Sequence, residues 1–249
     1  MIRRTTLAVA AAALALSSTG CAAAPSEDAS ATITIAAAAS LTDVFEAIGA
    51  QFTQETGIEV TFSFAASSAI AEQIRGGAPI DVFASAGVTA MEPLAAEQLV
   101  TDAAAFASNS LAIAVPAGNP GGVRSLADLS RVSVVVCQEQ VPCGVATAQM
   151  LERNALTITP VSVEPDVRSV LGKIIADEAD AGIVYVTDTA GRADVESIAI
   201  PPNANVSTTY QAAVVTASAR ADAAAAFVAF LTGPDWQGVL ATAGFRTAP

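Results

Sequence analysis

Three small polar residues stand where a strand-like apolar run turns into a helix-like one. They are Ser40 in "TITIAAAASLTDVFEAIGAQF", Ser67 with its neighbour Ser68 in "SFAASSAIAEQIRGG", and Cys143 in "VPCGVATAQML". A residue at such a junction lies beside the unpaired N–H groups of the first helical turn, where a helix carries roughly half a positive charge. The chemistry open to it is either capping the helix or holding an anion. Leu41, Val44, Phe45, Ile48 and Phe52 follow at helical spacing, so Ser40 is the expected N-cap, with Asp43 closing a capping box. Tyr185, at the end of "AGIVY", reads on its own as a core tyrosine with a satisfied hydroxyl.

The chain contains no histidine. That removes Ser-His-Asp and Cys-His mechanisms and nearly all zinc and copper sites. The acidic pair Asp177-Glu178 reads as solvated helix surface rather than as a catalytic pair. The formal net charge is −13, with no basic cluster. Nucleic acid is therefore not an expected partner. An anion would gain no long-range attraction from this surface and must be held by local dipoles and hydrogen bonds.

Two cysteines, Cys137 and Cys143, lie in the body of the chain, with Pro142 available to turn the segment between them. In an exported protein they are expected to form a disulfide, because a short loop can reach the required Cα separation of about 4.4–6.8 Å. A two-cysteine zinc site is the rival reading and lacks ligands. The third, Cys21, ends "STGC" after Arg3, Arg4 and an apolar run from Leu7 to Leu16. That run is too short to span a bilayer and has the form of an export signal. Residues 1–21 are expected to be a lipoprotein-type signal peptide. "STGC" resembles a bacterial lipobox, with Ser18 where leucine is usual, and this implies lipidation of Cys21; an ordinary cleavage site is the alternative. Residues 22–31, "AAAPSEDASA", read as a flexible tether.

The elements that would position these residues alternate. Strands are expected at "TITIAAAA", "IEVTFSF", "PIDVFASA", "SLAIAVP" (Ser110 to Pro116), "RVSVVV", "AGIVYV", "ESIAI" and "YQAAVV". Helices are expected after Ser40, with a stop at Gly57. Others are expected over "SSAIAEQIRGG", "TAMEPLAAEQL", "CGVATAQMLERNA" and "DVRSVLGKIIADEA", the last capped by Asp166. "SLADL" begins with a serine cap, and two final helices break at Gly233-Pro234, near Trp236, a core residue. Such alternation predicts an α/β fold with mainly parallel sheets and ligands at the carboxyl ends of strands.

The segments "AAAASLTDVF", "SFAASSAIAEQIRGGAPIDVFASA", "VPCGVATAQML", "EPDVRSVL" and "AGIVYVTD" occur in one order over about Thr32 to Phe245. As a set they closely resemble the periplasmic molybdate- and tungstate-binding component of ABC importers. The resemblance implies a two-lobed type II α/β binding-protein fold with the ligand in the cleft. Residues 32–112 and 207–249 would form one lobe and 113–206 the other. It implies an oxyanion held without a cationic side chain. The hydroxyls of Ser40, Ser67 and Tyr185 would hold it with the backbone N–H groups of Cys143 and Val167; Ser68 would be a possible ligand neighbour. Cys143 departs from the alanine of other members. The resemblance further implies no catalysis, no cofactor and no bare-cation metal site. It implies a monomer delivering molybdate or tungstate to a membrane permease and its ATPase, exported and anchored at Cys21 to the outer face of the cytoplasmic membrane. Two other readings remain: a binder of sulfate, thiosulfate or phosphate, and an extracytoplasmic thiol enzyme using Cys143. With no histidine, affinity is expected to be flat from about pH 6 to 8.

Overall fold

The structure is a computed structural model that describes residues 32–101 and 103–248. The expected signal peptide, Cys21 and the tether lie outside the described residues. The chain starts with β1 (Thr32–Ala38), a 3-10 turn (Ala39–Leu41) and α1 (Thr42–Thr56). Here the expected cap fails: α1 has Leu41 at its N-cap position and no side-chain cap, so Ser40 makes no capping box with Asp43. The inserted 3-10 turn starts the α-helix two residues after Ser40, and the serine hydroxyl is engaged elsewhere. The stop is as expected, with Gly57 left-handed at φ 72° and its N–H returning to the Thr53 carbonyl.

The chain continues through β2 (Glu59–Ala65), α2 (Ser67–Arg75), β3 (Val82–Ala86), α3 (Met91–Ala96) and β4 (Ala104–Pro116). Next come β5 (Val134–Cys137), α4 (Pro142–Arg153), β6 (Ser162–Glu164), α5 (Val167–Ile175), β7 (Ala181–Tyr185) and α6 (Val186–Thr189). It ends with β8 (Val195–Ala199), β9 (Ser207–Val214), α7 (Ala221–Thr232) and α8 (Pro234–Thr242). Asp166 caps α5, its carboxylate accepting the Ser169 N–H at 2.9 Å. The sequence reading lacks β6 and α6, three and four residues long, and starts β4 six residues late. Elements this short show no period.

The strand order is β2-β1-β3-β9-β4-β7-β5-β6, with β8 also on β4. Strand β4 belongs to two sheets: Ala104 to Ser110 pair with β9, and Leu111 to Pro116 pair with β7 or β8. The sheets are more mixed than expected. Pairings of β1 with β2 and β3, and of β5 with β6 and β7, are parallel, but every pairing of β4 or β9 is antiparallel. The reason is topological: β4 crosses between sheets, and β9 returns beside it in the opposite sense. At the crossing, the Asn205 amide stands in for a strand partner. It accepts the Leu111 N–H at 3.2 Å and donates to the Leu111 carbonyl at 2.7 Å.

Separate cores cover the sheets. Around β1, β3 and β9, the rings of Phe45, Phe52, Phe62 and Phe227 pack with centroids 5.1–6.4 Å apart, and Trp236 is buried beside Phe230. Around β5 and β7, the core is aliphatic, with Val134, Val135, Met150, Val170, Leu171, Ile174 and Ile183 buried. Each such side chain contributes about 1.5–3 kcal/mol on burial. The cores hold the two sheets as stable walls on either side of the junction.

Candidate functional site

Ser40, Ser67, Cys143, Val167 and Tyr185 line one cavity. All five are buried. Each is at an element boundary. Ser40 lies in the turn before α1, Ser67 is the first residue of α2, Cys143 the second of α4, and Val167 the first of α5. Tyr185 ends β7. Several helix N-termini from both sheets therefore converge on one point, with their free N–H groups directed there. The rest of the lining is mostly small: Ala38, Ala39, Ala65, Ala66 and Ala86 leave room for backbone to approach a ligand. The cavity has a volume of about 20 Å³. Organic ligands occupy pockets of roughly 300 Å³ and more, so this one suits a single small ion. Ser68 does not join it. It lines a separate groove of about 320 Å³ beside Glu72, Arg75 and Gln149.

Three hydroxyls, of Ser40, Ser67 and Tyr185, belong to residues that line the cavity. Ser67 Oγ accepts the Ala86 N–H at 3.0 Å, which leaves the serine proton for a ligand. Ser40 Oγ lies 2.8 Å from Tyr210 Oη. Tyr185 Oη is buried without a hydrogen-bond partner among the described residues. Burial pushes the Tyr185 phenol above its ordinary range, and Thr208 nearby opposes this without closing a hydrogen bond. The phenol therefore stays a protonated donor. Among the described residues no lysine or arginine lines the cavity, and the carboxylate that does, Asp166, is used as the α5 cap. A pocket of neutral donors next to helix N-termini is suited to an anion.

Beside it lies a charged cluster that sequence reasoning missed. Asp188 is buried and accepts the Tyr185 N–H at 2.9 Å through Oδ2. Its Oδ1 faces Arg168 Nε at 3.6 Å. Arg168 reaches across from α5 to Asp43 at 2.6 Å and to the Ala39 carbonyl at 3.3 Å. Burial pushes the Asp188 carboxyl up to about 7, against the pull of Arg168 and the Tyr185 N–H, with Asp43 and Asp166 adding to the rise. The only sequence signal was the acid three residues after Tyr185 in "YVTD". Tyr210, also missed, opens "YQAAVV" and is one of two tyrosines in the chain.

Cys137 and Cys143 are bonded, with Cα atoms 5.8 Å apart, which replaces the zinc alternative and leaves Cys143 no free thiolate. The bond ties the end of β5 to the start of α4 and holds the Cys143 N–H at the cavity. Cys137→Ser is expected to lower stability by roughly 2 kcal/mol, the loop-closure term for so small a ring. Urea unfolding of the two proteins under non-reducing conditions measures it; unchanged midpoints would show that the bond adds nothing.

The family described as bacterial extracellular solute-binding protein matches residues 33–246. The molybdate-binding protein ModA of Mycobacterium tuberculosis is 41% identical over 212 residues, covering 83% of this chain and 81% of that one. Two solved structures share the fold at 22% identity each. The Azotobacter vinelandii periplasmic molybdate-binding protein has a TM-score of 0.77, covering 87% of this chain and 100% of that one. The sulfate-binding protein SubI of Mycobacterium tuberculosis has a TM-score of 0.75, covering 87% of each.

Proposed function

This chain belongs to the family of bacterial extracellular solute-binding proteins, and from that premise we propose that it captures molybdate, and tungstate with it, outside the cytoplasmic membrane. The observation that carries the reading is the convergence of Ser40, Ser67, Cys143, Val167 and Tyr185 on one small cavity without a cationic side chain. Three hydroxyls and two or more N–H groups would surround the tetrahedral dianion. At about 1.5–3 kcal/mol for each hydrogen bond to a charge, five or six give on the order of 8–15 kcal/mol before dehydration is subtracted. That supports micromolar to nanomolar affinity. Residues 32–112 with 207–249 and residues 113–206 act as the two lobes. The loaded protein, a monomer tethered through lipidated Cys21, hands the anion to a permease and its ATPase.

Sulfate is the rival ligand, since the same fold carries a sulfate-binding protein. Donors placed for a larger tetrahedron cannot all reach a smaller one. Calorimetric titration with molybdate, tungstate, sulfate and phosphate should give tight binding for the first two and weak binding for the others. Sulfate binding as tightly as molybdate would overturn the molybdate reading.

Asp188 changes the flat pH profile expected from the absence of histidine. With its carboxyl near 7 in the fold, it is largely neutral at pH 6 and charged at pH 8. Its ionisation puts a negative charge beside Tyr185, against a dianion. Affinity should therefore fall as pH rises through about 7, by on the order of tenfold between pH 6 and 8. The linkage to stability has the same direction. The folded value lies above the unfolded one, so this group's contribution is fully present below about pH 4 and is lost as pH rises to 7. Asp188→Asn should flatten the binding profile, and an unchanged slope in that variant would assign the dependence to another group.

A further inference from the structure

Tyr210 shows no lining contact with the cavity, and the ligand reading above does not use it. We propose that it is a positioning residue: its phenol donates to Ser40 Oγ and so commits the Ser40 proton to the anion. The inference rests on the oxyanion reading and adds a residue to it.

A serine hydroxyl has one proton and two acceptor lone pairs. It donates to an anion reliably only if its oxygen is satisfied by another donor. For Ser67 that donor is the Ala86 N–H at 3.0 Å. For Ser40 the side-chain partner among the described residues is Tyr210 Oη at 2.8 Å, and distance alone allows either direction. Burial decides it. Tyr210 is fully buried, and among the described residues the hydrogen bond its phenol closes is with Ser40 Oγ. The Asn109 side chain is also near, but its Nδ2 donates to Thr187 Oγ1 at 2.8 Å and its Oδ1 already accepts the Ser110 N–H at 2.9 Å. If Ser40 donated to Tyr210, the phenol proton would be left in the core without an acceptor that is not already engaged, which is unfavourable. If Tyr210 donates, its own proton is satisfied and the Ser40 proton is free. Burial, with neighbouring Tyr185, pushes the Tyr210 phenol far above its ordinary range, so it keeps the proton at any physiological pH.

The fold sets the two arrangements side by side. Ala86 on β3 and Tyr210 on β9 are directly paired residues of one antiparallel ladder. One supplies a backbone donor to Ser67, the other a side-chain donor to Ser40. The Tyr210 ring is fixed by edge contacts to Phe245, Phe106 and Tyr185, with centroids 5.3–6.1 Å away. The phenol therefore has little freedom to turn from Ser40.

The test is a double-mutant cycle read by calorimetric titration with sodium molybdate on the parent, Ser40→Ala, Tyr210→Phe and the double variant. Tyr210→Phe should weaken binding about three- to tenfold, and the same change should have no effect in the Ser40→Ala background. Thermal unfolding of each variant shows whether it folds. Site-specific replacement of Tyr210 by 3-fluorotyrosine, a stronger donor of the same shape, should tighten binding, which a purely structural ring would not do. Equal losses in both backgrounds, or no change in Tyr210→Phe and the fluorinated protein, would overturn the inference while leaving the ligand reading intact. A parent that binds neither molybdate, tungstate nor sulfate would overturn both.

Discussion

Tyr185→Phe is expected to weaken binding of the proposed oxyanion by about 1.5–3 kcal/mol, roughly ten- to a hundredfold, without destabilising the unliganded protein. The two effects come from the same atom. Tyr185 Oη is buried and has no partner among the described residues. A buried hydroxyl without a partner is a standing penalty of about 1–3 kcal/mol, which the phenylalanine removes. The ring itself is kept, so the contact with Tyr210 at 6.1 Å and the packing at the end of β7 survive. Thermal unfolding without ligand should therefore show a midpoint equal to or above that of the parent. Titration should show the loss of affinity. A variant with lower stability and full affinity would make Tyr185 a structural residue and remove it from the site. Ser40→Ala makes a useful contrast, because its hydroxyl has a partner in Tyr210 and its removal leaves that phenol without one.

Gly144→Ala is expected to have the largest effect on stability, a loss of about 3 kcal/mol or more. Gly144 follows the disulfide cysteine in the first turn of α4. A Cβ built there would lie 1.8 Å from the Gln138 carbonyl oxygen and 2.6 Å from its carbon. These are backbone atoms, so no side chain can rotate away. The segment is also pinned: the Gln138 N–H donates to the Glu164 carbonyl at 2.8 Å, the Val141 N–H donates to the Gln138 carbonyl at 3.1 Å, and the Cys137–Cys143 bond closes the loop. The methyl must move either the loop or the start of α4, and with it the Cys143 N–H. Stability and anion affinity should fall together, in contrast to Tyr185→Phe. Gly172→Ala in α5 is the control. A Cβ there meets nothing within 4 Å, and helix propensity favours alanine by about 0.5–1 kcal/mol. Denaturant unfolding of both variants, with a free-thiol count for the first, measures the difference. A Gly144→Ala protein as stable as the control would mean that the close approach to Gln138 is not required.

Local spacing carried much of this protein's description. Val44, Phe45, Ile48 and Phe52 are buried along α1 with Leu41 just before it, Gly57 stops it, and Asp166 is the α5 cap it was expected to be. The short separation of Cys137 and Cys143 was enough to expect their bond. Such features are legible because helix periods, caps and small loops depend on residues only a few positions apart. The site residues needed more. Ser40 alone suggested a cap, Tyr185 a core residue; the ordered resemblance named them as a set, and the folded chain brings them to one cavity.

What the tertiary structure alone decided lies at long separations in the chain. Ser40 meets Tyr210 across 170 positions, Arg168 reaches Asp43 across 125, and Ser67, at the head of α2, takes the N–H of Ala86 at the end of β3. None of these pairs has a periodic signature, because each depends on which strands are neighbours. The antiparallel return of β9 beside β3 places Tyr210 opposite Ala86, and no pattern within β9 announces that register. Burial is decided in the same way. Asp188 follows Tyr185 by three residues in a short polar stretch, yet it is buried, and burial raises its carboxyl to about 7. The sequence by itself determined the order of the longer elements, the cap at Asp166, the stop at Gly57 and that no histidine takes part. Which hydroxyl meets Tyr210, and which carboxylate is buried beside Tyr185, follow from contacts that exist only once the two sheets share β4.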